Sequence, residues 1–308
     1  MTESRTASAL PLQIPVVQSI PHGGMATPTV FGSRLAIDAT DIYNEADLWT
    51  DSLYDFSRAA VPLATLAAVT APIARGIVDV NRPSDDLENP DGAVKAVSSY
   101  GRQTFAPPLV LPEKQQLIEA HWQPWHSALE EALVQNREHV KLLLDCHTMA
   151  QRGPTTYAFA GAARPLICIA NLGDDQGEIR QTGLFAGAVS APPWFLRKAG
   201  EIAAELFADL ALLEPDGDPP SVVALNWPFA GGYIIKRYTA LANAAKPLPE
   251  RNPGALAPWS LMVEINRGLY VGNQNASTPI APPHEVRIAA IRDRLALWTQ
   301  ALCAHLPE

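Results

Sequence analysis

Short apolar runs alternate along the chain with longer stretches whose apolar residues recur at helical spacing. The short runs predict strands over 14–20, 63–69, 73–80 ("IARGIVDV"), 140–146 ("VKLLLDC"), 165–171 ("PLICIAN"), 221–225 and 261–265 ("LMVEI"). The longer stretches predict helices over 45–59, 113–137, 194–213 and 283–304. Asn44 reads as the N-cap of the first helix. Pro112 and Glu113 mark the start of the second, and Pro124 is expected to kink it. Strands alternating with helices predict an α/β fold. Two segments break the rhythm, 84–112 and 245–258, both rich in Pro and polar residues. Loops of that length often serve as lids over a site. Neither reads as an interdomain linker, so one domain over 1–308 is expected, with 1–13 a flexible N-terminal segment.

Composition narrows the classes. A chain of 308 residues with 47% hydrophobic content can build a sizeable core, and 18% charged residues argues against disorder. The net charge is −9 and basic residues do not cluster, which disfavours nucleic acid and anionic membranes as partners. Cys146, Cys168 and Cys303 form no CxxC pair, so a reducing compartment is expected. The N-terminus lacks the apolar stretch of a secretory signal, and the longest apolar run, 59–74, is interrupted by two prolines. Together these predict a cytoplasmic protein of unspecified oligomeric state.

Candidate chemistry sits where strands end in polar residues, because ligands of open α/β sheets gather at the carboxyl ends of strands. Three segments have this form: "SIPHGG" with His22, "VDVNR" with Asp79, Asn81 and Arg82, and "LLLDCHT" with Asp145 and His147. Strand alternation puts Asp145 and His147 on one side and Cys146 on the other, which argues against a Cys–His nucleophile pair. Asp79 reads either as half of a structural ion pair or as part of a recognition fork with Arg82. Glu264, inside the apolar run "SLMVEI", must be paired, liganded or functional, since a lone buried carboxylate is costly. Two histidines, one carboxylate and an open position make a catalytic zinc set. His22, His147 and one acid from 45–51 fill it, with Glu264 as general base. No GxGxxG, GxxxxGK[ST] or GxSxG occurs, so nucleotide cradling and a serine elbow lack support.

The segments "SIPHGG", "LYDF", "IVDVNRP", "HWQPWHSAL", "LLLDCHTM", "GGYIIKRY" and "VEINRGLY" resemble, in the same order, those of the N-formylglutamate amidohydrolase (N-formylglutamate deformylase) family, over about residues 15–300. The resemblance implies a phosphorylase/hydrolase-like three-layer fold with a mixed central sheet, similar to zinc carboxypeptidases. It implies one zinc ion on His22, His147 and an acid best matched by Asp47, with Glu45 and Asp51 as rivals. Met25 stands where carboxypeptidases carry that acid. It implies Glu264 as catalytic base. Asn81 and Arg82 resemble a carboxylate-gripping pair, and His126, Lys236, Arg237 and Arg267 fall at further candidate substrate positions. The family more often has Arg where Lys236 stands. The implied substrate is a small N-acyl amino acid, N-formyl-L-glutamate foremost. Alternatives are another N-acyl amino acid or small peptide, or a non-catalytic metal-binding homologue.

Overall fold

Eight strands and seven α-helices follow one another in the computed structural model, which describes residues 11–217, 221–243 and 258–307. They are β1 (Leu12–Gln13), β2 (Val16–Ile20), α1 (Ala39–Glu45), α2 (Thr50–Leu53), β3 (Leu63–Ala64), β4 (Ala67–Thr70), α3 (Leu111–Leu117), α4 (Gln123–Gln135), β5 (Leu142–Met149), β6 (Ile167–Ala170), α5 (Pro193–Leu206), β7 (Val223–Leu225), α6 (Tyr233–Asn243), β8 (Trp259–Asn266) and α7 (Glu285–Cys303). Six strands form the central sheet in the order β4-β2-β5-β8-β6-β7, while β1 and β3 pair separately. β4, β2, β5 and β8 are mutually parallel. β6 runs antiparallel to β8, and β7 follows β6. The fold is thus mixed α/β on a mixed sheet.

The central strands are apolar on both faces because helices cover both. Val16, Ile20, Leu142, Leu144 and Cys146 point into a core shared with Phe195 and Ala199 of α5 and Leu295 and Trp298 of α7. Val17 and Leu143, one residue out of phase, point into the opposite core with Trp125 and Leu129 of α4 and Ile234 and Tyr238 of α6. Each fully buried side chain of this kind contributes roughly 1.5–3 kcal/mol by leaving water. The parallel strands all end at one edge of the sheet, and that edge carries the polar residues.

Several expected elements take another form. Residues 73–80 are a run of turns, not a strand. Ile73, Ala74, Ile77 and Val78 bury one apolar face at helical-turn spacing, and the Ile77 and Val78 amides both donate to the Ala74 carbonyl. The expected helix over 45–59 is broken. Asp38, not Asn44, caps α1, accepting from the Thr40 and Asp41 amides, and the helix ends at Glu45. The Asp47 amide then donates to the His22 carbonyl, 3.0 Å, and Trp49 adopts a left-handed φ of 60° before α2 begins.

 The extended backbone at Ala46, ψ 148°, takes the chain out of the helical path and leaves Asp47 beside the end of β2, and the left-handed Trp49 then turns it into α2.

The helix expected over 113–137 starts at Leu111, where Glu113 accepts from the Val110 amide. It passes through one π turn, Ile118–Trp122, immediately before Pro124. Proline has no N–H for the preceding turn, and the wider turn absorbs the mismatch. Helix α6 lies in a stretch with no predicted helix, and α5 stops at Leu206, short of the expected 213. The excursion 84–112 is partly buried, through Ala93, Val94, Lys95, Thr104 and Phe105. The stretch 245–258 falls almost wholly outside the described residues, as does most of 1–13. Among the described residues, no helix is long and apolar enough to cross a membrane.

Candidate metal centre and cleft

β2 and β5 are adjacent and parallel, so the residues at their carboxyl ends converge. His22 follows β2 by two residues, and His147 is the sixth residue of β5. Gly24 lets this end of the chain pack closely, since a Cβ there would overlap the Ala71 and Pro72 carbonyls. With Asp47 drawn in by its backbone bond to His22, ligand atoms of His22, Asp47 and His147 lie within 4.8 Å of one another. All three side chains are buried.

A carboxylate stands behind each histidine. His22 Nε2 is 2.8 Å from Asp79 Oδ1. His147 Nε2 is 3.1 Å from Asp145 Oδ2, and Asp145 Oδ1 accepts from the Ser19 hydroxyl. Such carboxylates fix the ring tautomer and leave the other nitrogen as the ligand. The remaining nitrogens face Asp47, with His147 Nδ1 at 3.1 Å and His22 Nδ1 at 3.6 Å from Oδ2. Among the described residues, His22 Nδ1 is buried without a hydrogen-bond partner. An unprotonated ring nitrogen and a carboxylate oxygen facing each other are two acceptors without a shared donor. A cation between them resolves that conflict, and two imidazole nitrogens with one carboxylate suit a divalent transition metal. The residues therefore fit a metal ion.

Burial pushes the Asp47 carboxyl up, but the adjacent His147 and His22 rings outweigh this and hold it well below the usual carboxylate range. Burial pushes His147 down, yet Asp145 and Asp47 prevail and raise it. Glu264 is the register partner of His147 on β8, so both side chains project from the same face. Burial raises Glu264 to about 7, with His147 acting in the opposite direction. Glu264 also lines a cleft, together with Glu45, Arg75, Ser99, Tyr100, Tyr157, Arg164 and Arg267. Ser99 and Tyr100 belong to the 84–112 excursion, so part of that loop does reach the site.

A sequence profile of the N-formylglutamate amidohydrolase family matches residues 14–271, which hold every residue of this arrangement. The chain belongs to the N-formylglutamate amidohydrolase family. It is 28% identical over 150 residues to an N-formylglutamate deformylase of Pseudomonas putida, a match covering 46% of this chain and 54% of that protein. The chain thus matches about half the length of this curated relative. A crystal structure of an N-formylglutamate amidohydrolase from Ralstonia eutropha JMP134 superposes with a TM-score of 0.64 at 20% identity, covering 97% of this chain and 96% of that one. A gene product of Agrobacterium tumefaciens gives 0.59 at 19% identity, over 95% and 91%. At those identities the likeness speaks for the fold.

Within this family member, the three acids considered as metal ligands separate clearly. Only Asp47 joins the two histidines. Glu45 accepts from the Ser99 amide and hydroxyl, 2.7 and 2.8 Å, and Asp51 is exposed on α2. Of the six substrate-binding candidates, Arg267 alone lines the cleft. Its guanidinium is held by the Ala46 carbonyl, Asp47 and Gln274, so it positions Asp47. Asn81 accepts from the Ile234 amide at the start of α6, 2.9 Å, and its Nδ2 is 3.4 Å from His147 Nε2. Gly232 makes room for it, because a Cβ there would overlap the Asn81 amide. Arg82 is bonded to Asp91, and Lys236 is exposed, reaching the Leu184 carbonyl. Arg237 stacks near Trp122, Tyr233 and Tyr238. His126 is buried with both nitrogens occupied, Nε2 by the Val80 carbonyl at 2.9 Å and Nδ1 by the Tyr238 hydroxyl at 3.0 Å.

Two contributors, Arg75 and Arg164, were not singled out from the sequence, and two strand-end acids named there, Asp79 and Asp145, were not given the role of standing behind the histidines. Asp79 and Asp145 support the histidines, although the shared side of Asp145 and His147 was a usable signal. Arg75 and Arg164 face the cleft. A lone arginine in the apolar run "APIARGIV", and another just before "PLICIA", are the traces they leave in sequence.

Proposed function

We propose that this protein is a metal-dependent amidohydrolase, with zinc on His22, Asp47 and His147, that hydrolyses N-formyl amino acids, N-formyl-L-glutamate foremost. The observation that carries the reading is the partnerless His22 Nδ1 facing Asp47 and His147, one strand away from a buried Glu264. When bound, the cation supplies Lewis acidity, polarising an amide carbonyl and making water a stronger acid.

Glu264 is the general base. Its pKa of about 7 suits it to take a proton from the attacking water near neutrality. The water oxygen adds to the formyl carbon. Glu264 then returns the proton to the amide nitrogen as the C–N bond breaks, giving formate and the free amine. Asp79 and Asp145 keep the two rings oriented, and Arg267 with the Thr148 amide keeps Asp47 in place.

The test is formate release from N-formyl-L-glutamate by the purified protein, with metal content measured before and after chelation. Turnover that disappears on chelation and returns with zinc is the expected result. Full activity in metal-free protein removes the metal-dependent reading.

A further inference from the structure

Three arginines line the cleft, and two are engaged with acids. Arg75 lies 3.6 Å from Asp47 and 3.7 Å from Asp79. Arg267 lies 3.4 Å from Asp47. Arg164 differs. Among the described residues it has no carboxylate within ion-pair distance, although it is only 4% exposed. Its Nε has no hydrogen-bond partner, and Nη1 has a long 3.5 Å contact to the Ala150 carbonyl. The guanidinium packs over the Phe229 ring at 4.9 Å and near the Tyr157 ring at 5.9 Å.

Topology explains why Arg164 is there. β6 runs against β8, so the residues before β6 lie at the carboxyl edge of the parallel strands. The Asn266 amide donates to the Leu166 carbonyl, which places Arg164 just past the end of β8, in the same cleft as Glu264. A buried guanidinium without a counter-ion is costly, and the cost falls when an anion arrives with the ligand. Guanidinium is planar and matches a carboxylate with two parallel hydrogen bonds. Rings on its flank hold the plane without consuming its donors.

We propose that Arg164 is the substrate-carboxylate anchor of this cleft, a specificity-determining residue that receives one carboxylate of the N-formyl amino acid. This rests on the hydrolase reading above for its substrate class. The remaining guanidinium donors stay free for that carboxylate, while Arg75 and Arg267 hold Asp47.

The experiment uses the zinc-loaded protein and its Arg164→Met and Arg164→Lys variants. Substrates are N-formyl-L-glutamate and its two mono-amides, one at the α-carboxyl and one at the side chain. Arg164→Met is expected to raise KM for the dicarboxylate roughly 10- to 100-fold, with kcat changed much less. It also abolishes the preference for the dicarboxylate over one of the two amides. Arg164→Lys, which keeps the charge and loses the fork, falls between and provides the reading should Arg164→Met not fold. Intact discrimination at both carboxyls, or a loss in kcat at unchanged KM, overturns the proposal. Calorimetric binding of L-glutamate to the same proteins separates the two readings. If the wild type turns over no N-formyl amino acid yet binds glutamate through Arg164, the hydrolase reading fails and the anchor stands. Equal glutamate affinity with and without Arg164, or no binding by the wild type, removes the anchor.

Discussion

Two buried histidine sites in this molecule look alike in sequence and differ in physics. His22 and His147 stand at strand ends, and each has one nitrogen turned to a carboxylate and the other turned to Asp47. His126 stands on α4 against α6, its ring tilted against that of Trp122 with centroids 3.8 Å apart, with a neutral partner on each nitrogen. The first arrangement leaves lone pairs that call for a cation. The second leaves nothing unsatisfied, and burial lowers the pKa of His126 to about 4. On the proposed metal reading, the partner of the second nitrogen separates a ligand from a structural histidine, since both kinds are buried.

The sharpest way to break the comparison is to remove one histidine from each site. His147→Ala is expected to lose bound metal and with it all measurable turnover, while His126→Ala keeps metal stoichiometry and loses stability, by about 2–3 kcal/mol. Metal analysis and denaturant melts of the two variants check this, and equal metal loss would erase the distinction. Glu264→Gln comes next. It should keep the metal and lower kcat roughly 10²- to 10⁴-fold, read by formate release against metal content.

The pH dependence of folding sharpens the same contrast. His126 titrates at about 4 in the folded protein against an ordinary value of 6.5. Between those values the unfolded chain takes up a proton that the folded chain refuses. Its stabilising contribution is complete above about 6.5 and falls as the pH drops toward 4, by about 3 kcal/mol in all. The acid-side loss should vanish in His126→Ala when melts at several pH values are compared. The smallest effect concerns ring support. Asp79→Asn should weaken metal binding about 10- to 100-fold without altering its stoichiometry at saturation, measured by competition with a chelator.

The strands carrying the site were legible because fully buried strands read as apolar runs. β2, β5, β6 and β8 each lie within a residue or three of the predicted bounds. The broken helix at 45–59 was not legible, because its break depends on a backbone bond between Asp47 and His22, residues distant in sequence. The turns over 73–80 hid for a related reason: apolar residues at strand-like density also satisfy a compact turn against a core. Arg82 and Arg237 read as substrate-binding candidates in sequence, yet their donors face Asp91 and aromatic rings.

By itself the sequence determined the residue types at the strand ends and the family that their order resembles. Local preference and alternation act over a few residues, so they reach that far. Which of Glu45, Asp47 and Asp51 joins the histidines, and which arginine is left without an acid, was decided only in three dimensions. Those outcomes depend on distances of a few ångströms between segments a hundred or more residues apart, and no local pattern encodes them.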